Sequence, residues 1–251
     1  MKTLSSALTA VVMVVACDAA TAPRFFRSTV DDSKVPESLR AAYREDAARL
    51  ALRDLLARGY AGIEIPHDAV QPYYDALVLV HNATGLPARD SVVDVYGIHT
   101  FPQPATRSLY TIVAGDQEWA QRLARDSVPT GDAVVDRLLS DYALSFDRAH
   151  TLSTGELLIV LRSALSLNVA ALAPQFVVAP GVRASQPNGA FGDGNDIDAT
   201  RGDAILVDYS VGYGDCPSGC INRRFYHFAA HADGTVEYLG ASGAPPPGPQ
   251  P

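Results

Sequence analysis

The sequence predicts an α+β fold: helices with a small mixed or antiparallel sheet, followed by a C-terminal three-stranded antiparallel β meander. Three features carry that prediction. Residues 36–58 and 69–82 space their apolar side chains at helical intervals. Two β-rich runs in the middle of the chain are separated by a short capped helix pattern. From residue 204 onward, apolar and polar residues alternate with the period of two that a half-buried strand requires.

The elements follow in chain order. Ser33 and Pro36 are start signals for a first helix, and Gly59 is its stop. Leu39, Tyr43, Leu50 and Leu55 mark its apolar side, while Glu45/Arg49 and Asp54/Arg58 are i,i+4 pairs expected on its wet side. "IEI" at 63–65 reads as a short strand. "AVQPYYDALVLVHN" (69–82) reads as a second helix with Pro72 in its first turn. Its C-terminal half is apolar nearly all round, which predicts a core helix. "SLYTIVA" (108–114) alternates and reads as a strand, and Thr130 is the expected cap of a helix in "GDAVVDRLLSDY". "ELLIVLRS" (156–163) fits a strand following the turn at Ser153-Thr154-Gly155. Asn168 then caps "VAALAPQF", with a further strand near 182–185 after Gly181.

In the last third, "AILVDYSVG" (204–212) puts Ile205, Val207, Tyr209 and Val211 on one face. "NRRFYHFAAH" (222–231) is aromatic and β-prone, Asp233-Gly234 is a hairpin signal, and "TVEYLG" (235–240) completes the meander. Residues 241–251 are Pro-rich and are expected to be disordered.

The order strand, helix, "PGV", strand over 156–185 resembles the second half of a ferredoxin-like unit, as in subtilase propeptides. The segment around "GDCPSGCINRRFYHF" resembles a C-terminal segment of uncharacterised bacterial secreted proteins and lipoproteins. That resemblance implies a recurring module and supplies no catalytic residue.

The N-terminus carries an address. Lys2 precedes an uncharged apolar run from Leu4 to Ala16. As a helix that run is about 20 Å long, short of the roughly 30 Å hydrocarbon core, so it fits a secretory signal better than a membrane span. Val14-Val15-Ala16-Cys17 resembles the lipobox of bacterial lipoproteins, which implies removal of residues 1–16 and acylation of Cys17. Ordinary cleavage near Ala20 or Ala22 is the competing assignment, and it would discard Cys17. The expected organisation is therefore a signal peptide (1–16), a tether (17–34), an α+β region (35–190), the meander module (191–240) and the tail (241–251). The implied location is the cell envelope, with the protein held at the membrane by lipid and facing the periplasm or the exterior.

Composition bounds the partners. The 251-residue chain is 47% apolar and 19% charged, with a net charge of −8, so it is globular and acidic. Its one basic doublet, Arg223-Arg224, is no phosphate-binding cluster, which argues against nucleic acid.

Cys216 and Cys220 are the remaining cysteine pair once Cys17 is set aside. Extended, four residues would separate their Cα atoms by about 13 Å, beyond the reach of a disulfide. Pro217 and Gly219 suit positions i+1 and i+3 of a type I turn, which bends the chain as the bridge requires. Zinc held by Cys216, Cys220 and His227, with His231 four residues on, is the rival assignment, although its spacing departs from the C2H2 pattern. A thiol nucleophile with His227 as base is another. "GDGNDID" (192–198) crowds Asp193, Asn195, Asp196 and Asp198, oxygen donors that suit calcium, but Ile197 and Arg201 break the EF-hand pattern. An Asx-rich turn leading into a strand is the simpler assignment.

"YGIHTFP" (96–102), Trp119 and the meander aromatics Tyr209, Tyr213, Phe225, Tyr226, Phe228 and Tyr238 are the other conspicuous groups. The aromatics would line a binding surface if they faced outward, although alternation sends half of them inward. No G-x-S-x-G, H-E-x-x-H or phosphate-loop motif occurs. With no cofactor motif and no catalytic spacing, the sequence favours a non-catalytic, lipid-anchored module that binds or braces an envelope protein or polymer. An envelope enzyme, or a propeptide-like protease inhibitor, is the alternative.

Overall fold

The structure, a computed structural model, describes residues 24–247. Its elements are β1 (Phe25–Arg27), α1 (Glu37–Ala57), α2 (His67–Asn82), α3 (Pro87–Asp90), β2 (Ser108–Val113), α4 (Glu118–Leu123), α5 (Ala133–Asp141), β3 (Leu144–Thr151), β4 (Leu157–Ser163), α6 (Val169–Leu172), β5 (Val182–Pro187), β6 (Asp196–Arg201), β7 (Ala204–Tyr213), β8 (Asn222–His231) and β9 (Thr235–Ser242). They form an α+β protein with two antiparallel sheets, ordered β1-β9-β8-β7-β6 and β3-β4-β2-β5. The expected signal peptide and the expected acylation site Cys17 lie outside the described residues, as does the expected tail beyond Pro247. No helix among the described residues is long and apolar enough to cross a membrane.

The five-stranded sheet packs one face on α1 and α2. Alternation along β7 drives Val207, Tyr209 and Val211 into that core, where they meet Tyr73, Leu77 and Val80 of α2. The expected meander is β7-β8-β9, with the cysteine turn as its first connection and Asp233-Gly234 as its second. Gly234 has a φ of +88°, and the Asp233 carboxylate accepts from Thr235 N at 2.8 Å.

Both ends of this sheet depart from expectation. The segment expected to be a tether supplies β1, because Phe26 packs on the core and Ser28 Oγ donates to the Leu79 carbonyl at 2.7 Å. The segment expected to be a disordered tail extends β9 to Ser242. Beyond it, the Tyr213 hydroxyl bonds to the carbonyl of Ala244 at 3.1 Å. The Asx-rich stretch expected to turn and lead into a strand is a loop only up to Asn195; β6 already begins at Asp196.

The four-stranded unit runs β2, α4–α5, β3, β4, α6, β5. In that unit's own count the sheet order is 4-1-3-2, the split βαβ arrangement of ferredoxin-like folds. The half-unit read from 156–185 is thus completed by β2 and by β3, which the sequence reading missed. Leu109, Val113, Ile159 and Leu161 point to the helices, against Leu123, Leu138, Leu172 and Phe176. Asn168 caps α6 as expected, its Oδ1 accepting from Ala171 N at 3.3 Å. The cap of α5 is Asp132 rather than Thr130: Asp132 Oδ1 accepts from Val134 N and Val135 N at 3.0 Å each. Thr130 instead donates its N–H and hydroxyl to Asp136 at 2.6 and 2.7 Å.

Arg53 of α1 ties the edge strand β6 to the loop that leads into β2: it donates to Ile197 O at 2.8 Å and Gln103 O at 2.7 Å and pairs with Asp196 at 3.1 Å. "IEI" contributes a single bridge, Glu64 to Leu167, rather than a strand.

Candidate functional site

The outer face of the five-stranded sheet carries a hydrogen-bonded polar group that spans three strands. Asp208 of β7 stands directly across from His227 of β8. Cross-strand neighbours on one face lie about 5 Å apart at Cβ, so the two side chains meet. His227 Nδ1 lies 2.7 Å from Asp208 Oδ1. On the other side of the ring, Nε2 lies 2.8 Å from Ser242 Oγ on β9. The Phe225 ring stacks on the imidazole at 6.0 Å between centroids and 8° between planes.

Ser242 reaches this face only because of a bulge. Phe228 pairs with Tyr238, but His227 pairs with Gly240, leaving Leu239 as an extra residue in β9. A bulge of one residue inverts the in-out alternation beyond it. In an unbroken register Ser242 would lie opposite Arg224, on the helix side; as built, it lies opposite Phe225 and beside His227. Gly240 takes a φ of +115°, a conformation that favours glycine.

A cavity of about 670 Å³ opens at the other side of the same sheet, between α2 and the ends of β6, β7 and β8. Ala76, Leu79, Ile205 and Ala230 form an apolar floor. Asp68 and Asp75 from α2, Asp203 from the β6–β7 turn, His67, His231 and Arg201 surround it. Asp75 accepts from Gln71 at 2.8 Å, and the Arg201 guanidinium lies 5.8 Å from the Tyr73 ring. Among the described residues, no ion pair engages Asp68 or Asp203.

The residues singled out in the sequence fall into place as follows. Cys216 and Cys220 are joined in a disulfide. The zinc assignment therefore fails: both sulfurs are bonded to each other, and His227 is engaged by Asp208 and Ser242. A thiol nucleophile fails for the same reason. The calcium assignment fails because the four oxygen donors do not converge. Asp193 binds Arg223 and accepts from Cys220 N at 3.2 Å; Asn195 accepts from Gly212 N; Asp196 accepts from Phe101 N at 2.6 Å; Asp198 turns to Ala199 N. The Arg223 guanidinium, and behind it the Gly194 and Cys220 amides, hold the Asp193 carboxyl below the usual range against the opposing effect of burial. Among the described residues, no group of three or more His, Cys, Asp or Glu is placed to hold a metal ion.

The outward aromatic surface is not there. Tyr209, Tyr226 and Phe228 are buried, Tyr238 packs on the core, Tyr213 reaches the Ala244 and Pro245 carbonyls, and Phe225 lies on the outer face. Trp119 is a packing residue whose Nε1 donates to Pro180 O at 2.9 Å.

"YGIHTFP" borders a buried polar cluster. Asp46 on α1 is 3% exposed and accepts from Thr100 N at 2.9 Å and Thr100 Oγ1 at 2.7 Å, with His99 Nδ1 at 2.6 Å. The hydrogen bond to Asp46 raises the His99 pKa despite burial. Arg49, expected on the wet side, is 4% exposed and donates to Thr100 Oγ1 at 2.5 Å as well as to Glu45. Nearby, burial and then Arg89 lower the pKa of His81, whose Nδ1 is 3.1 Å from the Tyr43 hydroxyl. Burial pushes the Tyr74 hydroxyl up.

No protein-family model, curated protein or solved structure matches the chain.

Proposed function

We propose that this is a lipid-anchored cell-envelope binding protein. Cys17 is its acylation site, and the cavity between α2 and the sheet takes a small ligand with an apolar body and a cationic group. The observation that carries the reading is the cavity. Its volume, about 670 Å³, suits a ligand of drug-like size, and its floor is apolar. Its rim brings together three carboxylates, none of them in an ion pair among the described residues. Such a rim repels anions and favours an ammonium group that can desolvate against the floor. The N-terminal Val14-Val15-Ala16-Cys17 run supports the anchor.

The test uses the purified full chain and a matched set of phenylalkylamines and phenylalkanoates. The amines should raise the melting temperature and the acids should not, and Asp203→Asn with Asp75→Asn should abolish the rise. Equal shifts from amines and acids, or none, would refute the reading. For the anchor, Cys17→Ala should move the protein from the membrane to the soluble fraction.

A second reading, a propeptide-like protease inhibitor, is favoured by the 4-1-3-2 strand order of the four-stranded unit. The sheet face turned away from the helices carries Tyr110, Ile112, Leu158 and Ala184, none of them fully buried. Inhibition of a panel of secreted subtilases at micromolar concentration would support it, and an unaffected panel would remove it.

A further inference from the structure

We propose that Ser242 is an activated nucleophile, with His227 as its general base and Asp208 as the positioning residue of that base, able to take acyl groups from unhindered carboxylic esters. The site shares no residue with the cavity and stands independently of the binding reading.

The argument begins with the imidazole. An ionised Asp208 carboxylate has no proton to give, so the 2.7 Å contact requires His227 to carry its hydrogen on Nδ1. In the neutral ring Nε2 is then a bare lone pair, and the Ser242 hydroxyl 2.8 Å away is its donor. That is the arrangement of nucleophile, base and orienting acid by which serine hydrolases are recognised, whatever their chain order or fold. Phe225 holds the ring plane from one side. Ser242 is exposed, so an electrophile can reach its oxygen without any opening of the fold. The bulge at Leu239 is also informative: it interrupts a regular ladder with the result that this hydroxyl is delivered to this histidine.

The chemistry balances with water alone. Ser242 Oγ attacks the ester carbonyl carbon and passes its proton to His227 Nε2. The bond from that carbon to the leaving oxygen breaks, and the proton moves from Nε2 to the departing alkoxide. Water then attacks the acyl-serine, His227 again takes and returns the proton, and the acid leaves with Ser242 restored. The face is open, and an enclosed oxyanion site is typically worth about a hundredfold or more. The reaction is therefore expected to be slow and tolerant of different acyl groups.

The experiment follows the full-length protein with p-nitrophenyl acetate at pH 8, with peptide mass spectrometry to locate the acetyl group. The expected result is an acetyl adduct on Ser242 and nitrophenolate release at least about tenfold above Ser242→Ala, with a similar loss in His227→Gln. Asp208→Asn should fall between, because an amide no longer enforces the Nδ1–H tautomer. Unchanged release by Ser242→Ala, or acetylation confined to lysines and tyrosines, would overturn the proposal and leave the three side chains as a cross-strand polar ladder. An alkyl fluorophosphonate gives a second readout, as its phosphorus–fluorine bond breaks when Oγ bonds to phosphorus. It should label Ser242 in the native protein and fail to do so in His227→Gln. Equal labelling of both would also overturn the proposal. Ser242 and His227 lie on the outer face, so unfolding midpoints near that of the native protein are the folding control.

Discussion

The two sheets are each covered by helices on one face and open on the other, yet their interiors are built differently. The four-stranded unit has a dry core: Leu109, Ile159, Leu161, Leu172 and Phe176 are fully buried, and the polar groups buried with them, such as Thr111, Ser163 and Asn168, do not ionise near neutral pH. Every buried Asp, Arg or His among the described residues belongs to the other unit or its border: Asp46, Arg49, His81 and Arg89. Burying a charge is unfavourable unless partners surround it, and each of these has them. The interior of one unit therefore holds apolar side chains and neutral, hydrogen-bonded polar ones. The other is held by shape and by a set of charges whose protonation can change.

The sharpest test removes one group from each interior. Phe176→Ala and Asp46→Ala should each cost about 3–5 kcal/mol, the first through a cavity and the second by leaving the Thr100 amide and hydroxyl and the His99 ring without their acceptor. Urea unfolding at pH 5.5 and pH 8 should give the same loss for Phe176→Ala at both values and a pH-dependent loss for Asp46→Ala. Equal pH dependence would erase the distinction between the units.

A smaller effect is expected where the five-stranded sheet meets the disulfide. A Cβ on Gly212 would come within 2.4 Å of Cys220 Sγ and 2.7 Å of the Gly194 carbonyl. Gly212→Ala should therefore cost about 1–3 kcal/mol by overpacking. In a Cys216→Ser/Cys220→Ser background that loss should shrink, since a smaller, unbridged hydroxyl replaces the disulfide sulfur. The double serine variant itself should lose no more than about 2 kcal/mol, the limit set by so short a closed loop.

The smallest effects, and the most specific, concern the two histidines. His99 binds its proton more tightly folded than unfolded, so its contribution is complete below about pH 6.5 and is lost as pH rises through the folded value. His81 binds its proton less tightly folded, so it weakens the fold as pH drops below about 6.5. His99→Gln should thus be more damaging at pH 5.5 than at pH 8, and His81→Gln less damaging at pH 5.5 than at pH 8. Denaturant midpoints at both values check the signs. The same sign for both would mean that the polar cluster does not control the pH response.

What was hard to read in the sequence has a common cause. β3, "LSFDRAHT", is polar at most of its exposed positions, so its pattern resembles a loop until β4 pairs with it. β6 buries one side chain completely, Ile197, and its crowded acids look like a turn. β1 is three residues long and exists through its pairing with β9. Arg49 looked like half of a surface ion pair because i,i+4 spacing is visible in one helix, whereas the loop at 100–106 that buries it is not.

The sequence by itself determined what depends on neighbours along the chain. This includes the two long helices, the alternation of β7 and β8, the Asn168 cap, and the Pro217–Gly219 bend that brings Cys216 to Cys220. The tertiary structure alone decided the 4-1-3-2 order of the second sheet, the burial of Asp46 and Arg49, and the meeting of Asp208, His227 and Ser242. The reason is register. Local propensity fixes which residues alternate, but the partner each one faces depends on how strands distant in sequence align, and one bulged residue at Leu239 inverts the outcome.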